Sequence, residues 1–256
     1  MAVTIKSENQ IELMREAGRR LALLHETLGK AVRPGMSTLD IDRLGEELIR
    51  DMGCVPNFKN YQGYPASICV SVNNEVVHGI PSRSRILQEG DIVSLDAGLI
   101  YKGYHSDAAR TWGVGRISQE AQKLIDVTEQ SFFKGIVYAR EGCSLTEVSA
   151  AIQDYIEGNG FSVVRDLVGH GIGTRLHEDP EVPNFRRRGS SLKLKAGMTL
   201  AIEPMVAAGD PDVECLEDGW TIITQDGSLA AHYENTVLIS KGECEVLSLI
   251  RREGTV

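Results

Sequence analysis

Apolar side chains at Ile11, Met14, Ala17, Leu21, Leu24 and Leu28 recur at helical spacing, and polar residues fill the positions between them. This predicts one amphipathic helix over 8–31. Ser7 and Gln10 form a capping-box pair in front of it. Arg33-Pro34-Gly35-Met36-Ser37 breaks the pattern, and a second helix follows over 39–52 with Leu44, Leu48 and Ile49 inward and Gly53 as its stop. Residues 67–72 read as a strand ended by the turn signal Asn73-Asn74. Two longer strands, 91–100 and 104–114, flank Tyr101-Lys102-Gly103. Helices are predicted over 118–139 and 144–158, the latter opened by Ser144-x-x-Glu147. Strand-like segments follow at 161–167, 198–206, 221–225 and 230–240.

The order of elements repeats. Arg33-Pro34-Gly35-Met36-Ser37 matches Arg140-Glu141-Gly142-Cys143-Ser144, and Gly53 matches Gly160. The ten residues from Leu87 to Asp96 match those from Leu194 to Glu203. All three matches lie 107 residues apart. One constant offset across separated segments indicates an architectural repeat. The expectation is one catalytic domain over 1–256, built from halves of about 1–115 and 116–256. Two copies of helix-helix-strands packed together would bring equivalent strand carboxylates to a central site.

Composition narrows the function classes. With 256 residues the chain can bury a sizeable core, and 42% hydrophobic with 25% charged residues is ordinary for a globular protein. A net charge of −9 argues against a dedicated nucleic-acid binder. Five cysteines, an odd number with no Cys-x-x-Cys pair, fit a reduced cytoplasmic protein. The first thirty residues do not resemble a signal peptide. No apolar run approaches the roughly 20 residues of a membrane span, so no membrane partner is expected.

The chemistry-bearing stretch is Gly169-His170-Gly171-Ile172-Gly173 followed by His177-Glu178-Asp179-Pro180, read as a glycine-rich loop. Alone, the two histidines could be solvent-facing. Asp96 and Asp107 lie on the predicted hairpin. If Tyr101-Lys102 is its two-residue loop, they face each other directly; a bulge at Gly103 would shift the pairing by one. Like charges so placed are either solvated or share a cation. Glu203 and Glu234 fall inside apolar strand segments, where a bare carboxylate is costly. One histidine and four carboxylates, without a thiolate, disfavour a structural zinc site. They suit a pair of divalent cations: Mn(II), Fe(II), Co(II) or Zn(II). Two such metals about 3.5–4 Å apart acidify a water and stabilise an oxyanion, so hydrolysis is the expected reaction. Glu203 beside that water could carry protons.

Gly169-His170-Gly171-Ile172-Gly173-x3-His177-Glu178-x-Pro180-x-Val182-Pro183-Asn184 resembles the signature of the type I methionine aminopeptidases in their short bacterial form, as does Asn73-Asn74-Glu75-Val76-Val77-His78-Gly79-Ile80-Pro81. The order Asp96, Asp107, His170, Glu203, Glu234 matches that family's ligand series, and the resemblance covers essentially the whole chain. It implies an α+β pita-bread fold, a curved antiparallel sheet flanked by helices with internal pseudo-symmetry. It implies that Asp107 and Glu234 bridge two metals, with Asp96 on one and His170 and Glu203 on the other. His78 and His177 would contact the scissile amide and its oxyanion. Tyr61, Tyr64, Cys69, Leu176, Met205 and Trp220 fall where the family lines its methionine pocket.

The implied activity is removal of the N-terminal methionine from nascent chains when the second residue is small. By that rule the chain's own Met1-Ala2 is a substrate. Leu176, Phe58 and His232 depart from the family's usual residues but touch no expected ligand. The alternatives are a proline-specific peptidase of the same fold, which usually carries a large N-terminal domain, and a non-catalytic module, which typically loses ligands. A dinucleotide-binding reading of the glycines lacks the third glycine of that fingerprint. The basic stretch Arg186-Arg187-Arg188, with Lys193 and Lys195, is either a solvated loop or a weak ribosome contact. The expected state is monomeric.

Overall fold

A computed structural model describes residues 3–189 and 191–250; Met1 and Ala2, and with them the expected self-processing site, lie outside the described residues. Four helices cover strands of mixed length: α1 (Glu8–Ala31), α2 (Thr38–Asp51), α3 (Gln119–Ile136) and α4 (Leu145–Gly158). Helices α1 and α4 begin where their capping boxes predict. Ser7 N–H donates to the Gln10 side chain at 2.8 Å, and Ser144 N–H donates to Glu147 at 2.6 Å. Helix α1 buries Met14, Ala17, Leu21, Leu24 and Leu28, the expected stripe. Truncating a fully buried leucine there, such as Leu24, costs about 2–5 kcal/mol.

Strand Ile92–Tyr101 is the spine of the first half. It pairs antiparallel with Ile68–Val72, with Val55–Pro56, and along its whole length with Tyr104–Gly113. The second half carries a five-stranded sheet in the order Glu245–Val246, Asn235–Leu238, Thr199–Ile202, Gly169–Gly171, Glu178–Val182. Two three-stranded sheets complete the fold: Ala230–His232, Met205–Ala207, Ser162–Val163, and Val213–Cys215, Ile222–Thr224, Glu75–Val77.

The 107-residue repeat recurs in the bonding. Ser37 bridges Ile86 and Ser144 bridges Lys193, both partners displaced by that offset. Gly35 N–H donates to Leu87 O at 2.8 Å, and Gly142 N–H donates to Leu194 O at 2.9 Å. Both glycines sit at φ 87°, a turn conformation that other residues rarely adopt.

Two expectations change. The hairpin turn is Lys102-Gly103, both at positive φ, with Tyr101 facing Tyr104. Two consecutive residues with φ > 0 match the twist of a two-residue hairpin. The register therefore sets Asp96 opposite Ala109 and Asp107 opposite Gly98, so the aspartates are diagonal rather than directly opposed. The glycine-rich stretch is not a loop: Gly169–Gly171 is a buried strand. A Cβ at Gly169 would lie 2.3 Å from Ala201 O, and one at Gly171 would lie 2.2 Å from Asp179 O. The glycines there allow close backbone approach.

Candidate metal centre

The central carboxylates stand where strands begin, end or meet. Asp107 projects from Tyr104–Gly113, and its N–H donates to Thr236 Oγ1 at 2.9 Å. Thr236 Oγ1 in turn donates to Asp107 O. Glu234 precedes the strand that carries Thr236; its N–H donates to Ala109 O at 2.9 Å, and its own carbonyl accepts from Ala109 N–H at 3.3 Å. These bonds join the two halves directly at the pair Asp107 and Glu234.

Glu203 and Glu234 do not lie within continuous strands as the apolar pattern suggested. Strand Thr199–Ile202 stops before Glu203, and Pro204 then separates it from Met205–Ala207. Glu234 sits in the matching gap between Ala230–His232 and Asn235–Leu238. A backbone freed from the ladder can aim its side chain inward.

His170 Nδ1 lies 2.8 Å from Gly171 O. With Nδ1–H donating to that carbonyl, Nε2 keeps its lone pair for a ligand. That nitrogen is 3.7 Å from Glu203 Oε1. Ligand atoms of Asp107, His170 and Glu234 all lie within 4.8 Å of one another. Asp96 and Glu203 line the same cavity.

The electrostatics suit a cation. Burial, then repulsion by Asp96 and Glu203, pushes Asp107 well above the ordinary carboxylate range. Burial and then Asp107 do the same to Glu234, and burial and then Asp96 to Glu203. Burial raises Asp96 to about 7. His170 is held down at about 3 by burial and by His177. Asp96 Oδ1 and Glu234 Oε1 are buried without a hydrogen-bond partner. Buried carboxylates are tolerated when paired or metal-bound. The donor set, four carboxylates and one neutral imidazole, fits hard or borderline divalent cations.

Beside these ligands lies a cavity of about 170 Å³. Its walls include seven of the eight residues assigned to substrate: Tyr61, Tyr64, Cys69, His78, Leu176, His177 and Trp220. Met205 is not on this wall. It is fully buried in a separate apolar cluster with Val76, Val77, Val164, Ala207 and Ala230. An unbroken strand would place Glu203 and Met205 on one face; the break at Pro204 re-aims Met205.

Phe58 and Gln62 line the cavity and were not assigned to it. Phe58 carried a signal as a departure from the family pattern, whereas Gln62 carried none. His232, expected to touch no ligand, is instead a neighbour of the centre: its Nε2 lies 3.7 Å from Glu203 Oε2, and burial holds its pKa at about 3.

His78 occupies φ 60°, a left-handed conformation uncommon outside glycine. Its ring stands edge-on to Trp220 at 6.2 Å, and Trp220 packs edge-on against Tyr64 at 5.1 Å. Burial and then His177 lower His78 to about 4. Tyr61 Oη lies 2.7 Å from His177 Nδ1, and the His170 and His177 ring centroids are 4.2 Å apart. The basic stretch lies away from this cavity, with Arg186 paired to Asp154 and Arg187 to Glu181.

Residues 12–241 match the model of metallopeptidase family M24. A methionine aminopeptidase of Clostridium perfringens is 57% identical over 249 residues, spanning 97% of this chain and all of that one. The chain belongs to the methionine aminopeptidases of metallopeptidase family M24. The crystal structure of the Thermotoga maritima methionine aminopeptidase superposes with a TM-score of 0.95 at 43% identity, over 97% of this chain and all of that one. A Xaa-Pro dipeptidase from Bacillus anthracis shares the fold more distantly. Its TM-score is 0.76 at 25% identity, and the match covers 97% of this chain but 63% of that protein. The α+β pita-bread architecture is therefore that of the family. Among the described residues no helix is long and apolar enough to cross a membrane.

Proposed function

We propose that this metallopeptidase removes the N-terminal methionine of nascent chains in the cytoplasm when the second residue is small, using two divalent cations. Asp107 and Glu234 would be shared between the cations, with Asp96 on one and His170 and Glu203 on the other. Bound there, they would supply Lewis acidity that acidifies a water and polarises the scissile carbonyl. The buried, partnerless carboxylate oxygens beside an aromatic slot carry this reading.

The remaining roles fall to the chain's own side chains. Glu203, raised by burial, is suited to accept the water's proton and pass it to the leaving amine. If Tyr61 donates to His177 Nδ1, Nε2–H of His177 is left to donate to the carbonyl oxygen. His78, neutral at physiological pH and fixed against Trp220, would contact the scissile amide. Tyr64, Trp220, Phe58 and Leu176 would enclose the thioether side chain, whose burial contributes about 1.5–3 kcal/mol.

The proposal includes a monomer and a weak, salt-sensitive ribosome contact through Arg186–Arg188, although the pairing of Arg186 and Arg187 with acids reduces the local positive charge. Hydrolysis of Met-Ala-X against Ala-Pro-X peptides tests the central assignment. The assay is run with chelator and then with added Mn(II), Co(II), Fe(II) or Zn(II). Release of methionine that is lost with chelator and restored by metal is expected. Preferential cleavage of Ala-Pro-X would replace this reading with the proline-specific one.

A further inference from the structure

The N-terminal segment before α1 is tied to the turn that carries His177. Lys6 Nζ lies 2.8 Å from Glu178 Oε2, and the two side chains are 6% and 2% exposed. Thr4 Oγ1 donates to the same Glu178 oxygen at 2.7 Å, and Lys6 Nζ also donates to Thr4 Oγ1. The other Glu178 oxygen accepts from Arg175 N–H at 3.2 Å and from Thr174 Oγ1 at 3.4 Å. Lys6 itself is pinned by its N–H to Gly197 O at 2.8 Å. Space for the lysine exists because residue 173 is glycine: a Cβ there would lie 2.6 Å from Lys6 Cε and 2.7 Å from Glu178 Oε1.

One carboxylate thus organises the turn from Gly173 to His177, and a lysine 172 positions away supplies its counter-charge. Burial alone would raise Glu178; the hydrogen bonds from Lys6 and Thr4 outweigh it and hold the carboxyl at about 2. His177 immediately precedes Glu178, and its ring meets Tyr61 and the ring of His170. The Glu178 side chain therefore braces the turn that leads into this imidazole, beside the backbone bond from Gly173 N–H to Arg175 O. A buried ion pair is weak support for stability, because well-packed apolar residues often replace one without loss. This pair also organises a turn beside the substrate slot, which such a replacement would not reproduce.

We propose that Lys6 and Glu178 are positioning residues for His177, so that the segment Thr4–Lys6 belongs to the active-site machinery. The proposal rests on the reading of His177 as a substrate contact. A displacement of about 1 Å at a catalytic group can cost 10²-fold in rate.

The test compares Lys6→Met, Lys6→Arg, Thr4→Val and the double variant Lys6→Met with Glu178→Met in the metal-loaded enzyme. The readouts are urea midpoint, metal stoichiometry, kcat and KM on Met-Ala-Ser, and the His177 imidazole ¹⁵N resonances. Lys6→Met should lower kcat about 10- to 100-fold, with metal content unchanged and KM within about twofold. The His177 resonances should move. Lys6→Arg should recover most of kcat. The double variant, without an unpaired buried charge, should recover part of the urea midpoint but not kcat, because Thr4 Oγ1 and Arg175 N–H lose the Glu178 acceptor.

Recovery of kcat together with stability in the double variant would overturn the proposal, as would unmoved His177 resonances in a folded Lys6→Met protein. Should Lys6→Met fail to fold, Thr4→Val, which removes one bond to Glu178 and no charge, is expected to move the same resonances and lower kcat several-fold; no effect on either overturns the proposal. If the wild-type chain releases no methionine, the functional reading falls while the resonance shifts still judge the strap.

Discussion

Removing the metal should make this protein lose stability as pH rises above neutrality. Asp96 has a folded pKa of about 7 against an ordinary 3.8, and Asp107, Glu203 and Glu234 stand well above their ordinary values, all through burial first. A carboxyl raised in the folded state binds its proton more tightly there than in the unfolded chain. Its contribution is full below the unfolded pKa and is lost as pH rises through the folded one. The histidines act oppositely: His78 and His105 at about 4, His25, His170 and His232 at about 3, and His177, also lowered by burial, favour the folded protein as pH rises through 6.5. Above about pH 7.5 they are neutral in both states, and the carboxyl slope stands alone. Each carboxyl still protonated in that range removes about 1.4 kcal/mol per pH unit. One such group gives about 2 kcal/mol between about pH 7.5 and 9, a Tm drop of about 4–8 °C. Divalent cations would hold the carboxylates ionised and should abolish the slope. Urea and thermal melts of chelator-dialysed and metal-loaded protein measure it. A metal-free protein whose stability is flat or rises from about pH 7.5 to 9 would refute the electrostatic account of the centre.

Asp107→Ala and Glu234→Ala should each fold but bind metal much more weakly, because each removes a ligand proposed to be shared; metal stoichiometry after equilibrium dialysis, read by atomic emission, checks this. His177→Ala should keep its metal and lose about 10²–10³-fold in kcat, the usual cost of one oxyanion donor, and falling metal content would reassign the residue. Peptides beginning Met-Ala, Met-Gly or Met-Ser should be processed efficiently, and Met-Leu, Met-Lys or Met-Phe poorly, because in the proposed binding mode the second side chain would lie against His78 and His177. Equal rates on Met-Ala and Met-Lys, measured by mass spectrometry, would remove the steric argument but not the metal one.

The helices were legible almost to the residue. Their apolar stripes are long, and Ser7 and Ser144 mark two of their starts; α4 was expected from 144 and runs Leu145–Gly158, whereas α3 was expected to 139 and ends at Ile136. The hairpin was legible as a hairpin but not in its register, which turned on whether Tyr101-Lys102 or Lys102-Gly103 occupies the turn. Composition does not decide between those dipeptides, since lysine at φ 47° is set by the closing Tyr101–Tyr104 pair. The strands of the second half were overdrawn. Their apolar content runs through Glu203 and Glu234, whereas the ladders stop there. Pro204, which cannot donate to a ladder, was the available signal for the break after Glu203. His232 stood out as a departure from the family's usual residue, whereas Gln62 had no periodic or motif-based reason to be singled out and reaches the cavity through a left-handed backbone at φ 50°.

The division of ligands between the halves explains why the repeat and the centre are one feature. Asp96 and Asp107 come from the first half's hairpin, His170 from a strand of the second half, and Glu203 and Glu234 from the breaks between its strands. Neither half alone holds the compact trio of Asp107, His170 and Glu234. The trio is assembled by the backbone exchange between Ala109 and Glu234 and by the paired bonds of Thr236 to Asp107. Those bonds are buried and neutral, so they hold the halves in register without adding charge to a crowded acidic site. Carboxylates that would repel in isolation are thereby held within ligating reach before any cation arrives. Part of the stability derived from the folded chain is spent on that arrangement, and cation binding returns it.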